Sequence, residues 1–199
     1  MLKRAAGKWL LPTYMALVLM PGGPVASEPA PVPPPLPQMR ADCVRPQYAS
    51  DALVCGDSEL VAADAEVAAL AATTPTLADG AVWEDQAAWL RRRSLCAFSA
   101  DHRGCLVAAY ADRRSVLLAA TAPATQQVRC FGAWQGRSLT GSAIASGQPV
   151  TLHDRGLLLG VATANNALWQ PMLSWRAAGH DFDLQAQDGR QFKCHLAPN

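Results

Sequence analysis

The chain has 199 residues, with 17 Lys/Arg against 16 Asp/Glu and half of its residues hydrophobic. A charge this near to neutral, with no basic cluster, excludes the electrostatic footprint of a nucleic-acid-binding protein. Six cysteines in an even set, none in a CxxC pair, point to disulfides rather than to a metal or redox centre.

Residues 1–27 read as a secretory signal. Lys3, Arg4 and Lys8 form a basic start, residues 9–20 are an apolar run too short to span a bilayer comfortably, and Pro21, Gly22, Gly23 and Pro24 break it. Val25, Ala26 and Ser27 supply small residues for cleavage before Glu28; an uncleaved anchor is the other reading. Cleavage leaves 14 basic and 16 acidic residues, a formal net charge of −2, and no transmembrane segment. All six cysteines follow the signal, which predicts an oxidising compartment, the periplasm. Residues 28–42 contain EPAPVPPPLPQ, where dense proline favours an extended linker over helix or ladder.

From 43 to 121 alanine is abundant and the periodicity is helical. Three helices are expected, over 59–72, 80–96 and 105–120, the first capped by Asp57 or Ser58. In the second, Val82, Gln86, Trp89, Arg93 and Cys96 recur at steps of four and three and share one face. The first carries Asp64 in the stripe Leu60, Asp64, Val67 and Ala71. The third carries Tyr110 and Arg113 between Leu106 and Leu117. Buried charges need partners, so Asp64, Arg93 and Arg113 are expected to pair with one another, with Gln86 and the Tyr110 hydroxyl completing a structural network around Trp89. A catalytic role for Asp64 lacks an accompanying nucleophile or second acid.

These residues carry a resemblance. Cys43, Cys55, Glu59, Leu60 and Asp64, then Gln86, Trp89, Arg93 and Cys96, then Cys105, Leu106, Tyr110 and Arg113 match in spacing the LprI N-terminal domain, a family of secreted bacterial helical proteins named after a lysozyme inhibitor.

From 127 to 197 short β-like segments alternate with turn residues such as Asp154-Arg155-Gly156, Asn165-Asn166 and Asp188-Gly189, the pattern of a compact antiparallel barrel or sandwich. The run VRCFG, the stretch TANNALWQPMLSWRAAGHDFDL and the late QFKC resemble the MliC family, β-barrel inhibitors of C-type lysozyme. That resemblance implies a bridge between Cys130 and Cys194, and a loop that enters the lysozyme cleft to meet its catalytic acids. Asn165-Asn166-Ala167-Leu168-Trp169 stands where the family has Ser-Gly-x-x-Tyr, and Trp175 to Gly179 where it has Trp-x-Lys-Gly. The serine and glycine are therefore replaced; the second pattern is one residue longer and lacks the lysine unless Arg176 substitutes for it. An asparagine amide still hydrogen-bonds a carboxyl pair; a plain tight turn at Asn165-Asn166 is the competing reading.

The reading as a whole is an α+β chain in two domains, a disulfide-stapled three-helix bundle followed by a small antiparallel β-barrel. Cys43, Cys55, Cys96 and Cys105 leave two arrangements for the helices, the local pairs or the crossed pairs Cys43 with Cys105 and Cys55 with Cys96. The expected function is a periplasmic inhibitor of lysozyme or another muramidase, contacting its partner through Asn165, Asn166, Trp169 and Arg176. A non-inhibitory envelope module that binds peptidoglycan or an envelope protein is the alternative. His102, His153, His180 and His195 lack metal-ligand spacing, and no nucleophile elbow or phosphate loop is present. Neither an enzyme, a cofactor nor a metal is expected.

Overall fold

The computed structural model describes residues 38–73, 75–124, 126–132, 134–142, 148–178 and 181–196. The expected signal, residues 28–37 of the linker and His180 lie outside them.

The expectation of a three-helix bundle followed by a small barrel is overturned. Among the described residues four α-helices form, α1 (Ala49–Gly56), α2 (Ser58–Ala71), α3 (Gln86–Arg93) and α4 (His102–Ala119), with a 3₁₀ turn at Ser94–Phe98. Eight strands join one sheet. They are β1 (Leu77–Val82), β2 (Gln126–Phe131), β3 (Leu139–Gly141), β4 (Val150–Asp154), β5 (Leu157–Ala164), β6 (Leu173–Ala178), β7 (Asp181–Ala186) and β8 (Gln191–Leu196).

The helix expected from residue 80 starts only at Gln86. Gly80 has φ +74°, a left-handed conformation that no helix interior accepts. Asp85 then supplies the start signal, its carboxylate accepting from the Ala88 N–H at 2.7 Å. Likewise Asp57 caps α2, accepting from Glu59 and Leu60, and Asp101 caps α4 through Gly104. α1 begins between the first two cysteines and runs through Cys55, where no helix was expected. Its first turn is closed by Asp51, whose Oδ2 accepts from the backbone of Gln47 and Tyr48.

Strands β2 to β8 close into a ring in the order β5-β4-β3-β2-β8-β7-β6 and back to β5. Closure is parallel, with Thr163 opposite Ser174 and Ala164 opposite Trp175. β6 meets only the late part of β5. The early part is paired, again in parallel, by β1, with Leu77 opposite Leu158 and Val82 opposite Gly160. A strand from the helical half therefore extends the sheet of the barrel half. Ala78 and Val82 of β1 share one apolar cluster with Val128, Leu152, Phe182 and Phe192. In the other direction, Trp169 from the β5–β6 loop belongs to the helical cluster with Trp89, Leu90 and Leu106.

Three disulfides staple this arrangement, Cys43–Cys55, Cys96–Cys105 and Cys130–Cys194. The helical half thus takes the local pairs. Cys130 and Cys194 face one another directly across β2 and β8.

Candidate functional site

The polar residues of the helical stripes are buried together. Arg93, fully enclosed, donates through Nη2 to Asp51 and through Nη1 to the Tyr110 hydroxyl. Tyr110 in turn donates to Asp64 Oδ1 at 2.8 Å, and Asp64 also accepts from the Ala41 N–H at 3.2 Å. Trp89 packs edge-on against the Tyr110 ring at 5.3 Å. Burial raises the Tyr110 pKa above that of a free phenol, so the hydroxyl keeps its proton and remains a donor.

Arg113 departs from the expected pairing. It makes no ion pair with Asp64; its Nε donates to Gln86 Oε1 at 3.2 Å and its Nη1 to the Glu84 carbonyl at 3.0 Å. The expected pairing of Arg93 with Asp64 is present, at 3.6 Å, and the carboxylate that sequence reasoning missed is Asp51, which faces Arg93 as well. Asp51 lies outside the three expected helices, so no stripe exposed it as an intruder. The network is buried, and it joins α1 through Asp51, α2 through Asp64, α3 through Arg93 and α4 through Tyr110.

The exposed candidate is the loop 165–172 between β5 and β6. Asn165, Asn166, Ala167 and Leu168 are all exposed. Asn166 folds the turn on itself, its Oδ1 accepting from the Leu168 N–H at 2.8 Å. Trp169, 6% exposed, anchors the loop, donating Nε1 to Asp112 Oδ2 at 2.9 Å with the Arg92 guanidinium 4.1 Å from its ring. Arg92 is itself held by Glu84 through paired hydrogen bonds and donates to the Gln170 carbonyl at 2.7 Å. Gln187 reaches the same carbonyl from the β7–β8 turn at 3.0 Å. A tip free to contact a partner therefore stands on a base tied to α3, α4 and the barrel.

The four predicted contact residues divide between the two sides of this loop. Asn165 and Arg176 line one groove on the barrel's outer face, with Asp183 and Lys193. Those charges alternate across neighbouring strands, Arg176 opposite Asp183 and Asp183 opposite Lys193. Asn166 and Trp169 instead border a recess at α4, beside Asp112 and Thr163. There Asp112 is desolvated, and burial pushes its carboxyl above the usual range against the pull of its bonds from Thr163 and Trp169.

Sequence reasoning also missed an apolar patch. Leu95, Phe98 and Leu168 border a third recess, floored by Cys96 and Cys105. Phe98 is 87% exposed and Leu95 60%. In the short 3₁₀ turn, the bridged Cys96 points inward and leaves its neighbours facing water.

The three disulfides are consistent with an oxidising, extracytoplasmic setting. Comparison with models of protein families, with curated proteins and with solved structures finds no match.

Proposed function

We propose that the protein is a periplasmic inhibitor of lysozyme or a related muramidase, acting by inserting the loop 165–168 into the enzyme's cleft. The observation that supports this most is the combination of an exposed tip with a clamped base. Such a loop loses little conformational freedom on docking, which is the usual route to tight occlusion. Glycosidase clefts hold a pair of carboxyl groups. The Asn165 amide is a donor suited to them, and Arg176, exposed beside it, adds a cation at the rim. Leu168, Phe98 and Leu95 supply an apolar shoulder of the kind that partners cover. The likeness of the two halves to the LprI and MliC families, carried by the cysteine, tryptophan and arginine spacings, points the same way.

Titration of purified protein against a C-type lysozyme and a bacterial muramidase tests the proposal. Inhibition at micromolar protein is the expected result. Asn165→Glu, which sets a negative charge against the catalytic acids, then weakens inhibition at least tenfold, about 1.4 kcal/mol. If neither enzyme is inhibited and the protein is nevertheless retained on isolated cell walls, the reading gives way to a non-inhibitory envelope-binding module.

A further inference from the structure

Arg113 is a buried cation with no carboxylate in ion-pair reach among the described residues. It is 3% exposed. Its guanidinium lies 5.5 Å from the Trp83 ring and 5.8 Å from the Trp89 ring. The two acceptors it reaches, the Gln86 amide and the Glu84 carbonyl, are neutral, and Nη2 donates to no described residue. Arg93, the other deeply buried arginine, meets Asp51 and Asp64. Burial draws the Arg113 pKa down to about 10, with Arg92 adding to the shift, although the Glu84, Asp112 and Asp85 carboxylates act on it through space.

A cavity of about 230 Å³ opens beside this group. It is smaller than the roughly 300–1,000 Å³ of sites for drug-sized ligands, and suits a group of amino-acid size. Met39, Ala71, Trp83 and Leu117 line it with apolar surface, and Asp85 also borders it. Asp85 is exposed and caps α3 through Oδ1, so Oδ2 takes no part in that cap. It acts on the Arg113 charge through space but forms no ion pair with it. The pocket's lining thus combines a buried cation, an exposed anion and apolar side chains. Gln86 holds the guanidinium in place, because its own Nε2 is tied to the Met39 carbonyl at 3.2 Å.

We propose that this pocket binds an α-amino-acid zwitterion with an apolar side chain. The carboxylate meets Nη2 of Arg113, the ammonium meets Asp85, and the side chain packs against Trp83, Met39 and Leu117. A planar guanidinium held in one orientation suits a carboxylate better than a lysine would. None of these residues belongs to the loop 165–172 or is Arg176, so the pocket stands or falls separately from muramidase inhibition.

The test uses three probes on the purified chain, followed by ¹H–¹⁵N NMR at the Trp83 indole and the Gln86 amide. Leucine carries both charges, 4-methylpentanoate lacks the ammonium and 3-methylbutylamine lacks the carboxylate. Leucine is expected to give saturable shifts at both positions with at least tenfold higher affinity than either truncated probe. Asp85→Asn, which still caps α3, is expected to reduce leucine to the level of 4-methylpentanoate. Arg113→Gln is expected to abolish binding; should that buried substitution prevent folding, Asp85→Asn decides alone. The proposal is overturned if leucine gives no saturable shift, if 4-methylpentanoate binds as tightly as leucine, or if Asp85→Asn leaves the preference unchanged.

Discussion

Asp51 divides its two oxygens between a tertiary and a local task. Oδ1 faces the enclosed Arg93, while Oδ2 gathers the Gln47 and Tyr48 amides and the Gln38 side chain. Removing the carboxylate leaves a buried guanidinium with Tyr110 and a more distant Asp64 as its remaining partners, and loosens the first turn of α1. Breaking a buried pair of this kind typically costs about 3–5 kcal/mol. Asp51→Ala is expected to lower the urea-unfolding free energy by that amount. Arg114→Ala, which breaks an ion pair with Glu66 where both side chains are about half exposed, is expected to change it by less than about 1 kcal/mol. Equal effects from the two substitutions refute the assignment of Asp51 to the buried network. How much of this site was legible beforehand follows from where each residue sits. Asp64, Gln86, Arg93, Tyr110 and Arg113 interrupt apolar stripes of helical pitch, so the sequence betrays them. Asp51 lies in a short helix outside the three expected ones, so no expected stripe included it. Partner choice was not legible either, because spacing along a helix says which residues face inward and nothing about which meets which.

At the scale of elements, β1 and α4 join the helical and barrel halves. β1 reads LADGAV, with two alanines, a glycine and an aspartate in six residues and no clean alternation of buried and exposed positions. Local propensity argues against a strand there. Pairing with β5 imposes one, which local pattern does not show: the sequence reads as a loop up to Gly80 with a helix from there; β3, three residues long, is equally silent. Gly80 at the middle of β1 has φ +74°, and its carbonyl accepts from the Trp134 indole at 3.3 Å. Gly80→Ala meets no tight steric neighbour but forces an L-residue into the left-handed region, and is expected to cost about 1–2 kcal/mol in urea unfolding. On α4, Asp112 accepts from the Thr163 hydroxyl and the Trp169 indole, and so couples the helix to β5 and to the base of the candidate loop. Its folded pKa is raised by burial. A raised value means that the folded state favours the protonated acid, so Asp112 contributes stability below the ordinary carboxylate pKa. That contribution is lost as pH rises through the folded value. Asp112→Asn keeps an acceptor and removes the buried charge. Its stability relative to the unmodified chain is therefore expected to be more favourable at pH 7 than at pH 4, as read from urea titrations at both. A difference that is flat with pH, or that favours pH 4, overturns the assignment. Asp112→Ala, which orphans both donors, is expected to cost about 1–3 kcal/mol at either pH.

For the whole molecule, the exchange of elements sets how it unfolds. Ala78 and Val82 of β1 are part of the barrel's apolar cluster, and Trp169 of the barrel half is part of the helical one. Neither cluster is complete when the other half is missing. The disulfides do not supply this linkage, since each lies within one half. Cys130–Cys194 closes a span of 64 residues, worth about 4 kcal/mol in the chain-entropy description, while Cys43–Cys55 closes 12, worth about 3 kcal/mol. Two independently stable halves predict two thermal transitions, the helical one seen at 222 nm and the barrel one in the β-sheet amide band of the infrared. Shared clusters predict one transition at which both signals change together. They also predict the behaviour of fragments. Residues 123–199 expressed alone retain the Cys130–Cys194 bridge but lack β1, leaving the early edge of β5 unpaired and the seats of Ala78 and Val82 open to water. Addition of a peptide spanning residues 75–84 should then restore protection of the β5 amides in hydrogen exchange. A fragment that shows native protection of β5 without the peptide demonstrates that the barrel is self-sufficient, and with it that β1 is an appendage rather than a structural member of the sheet.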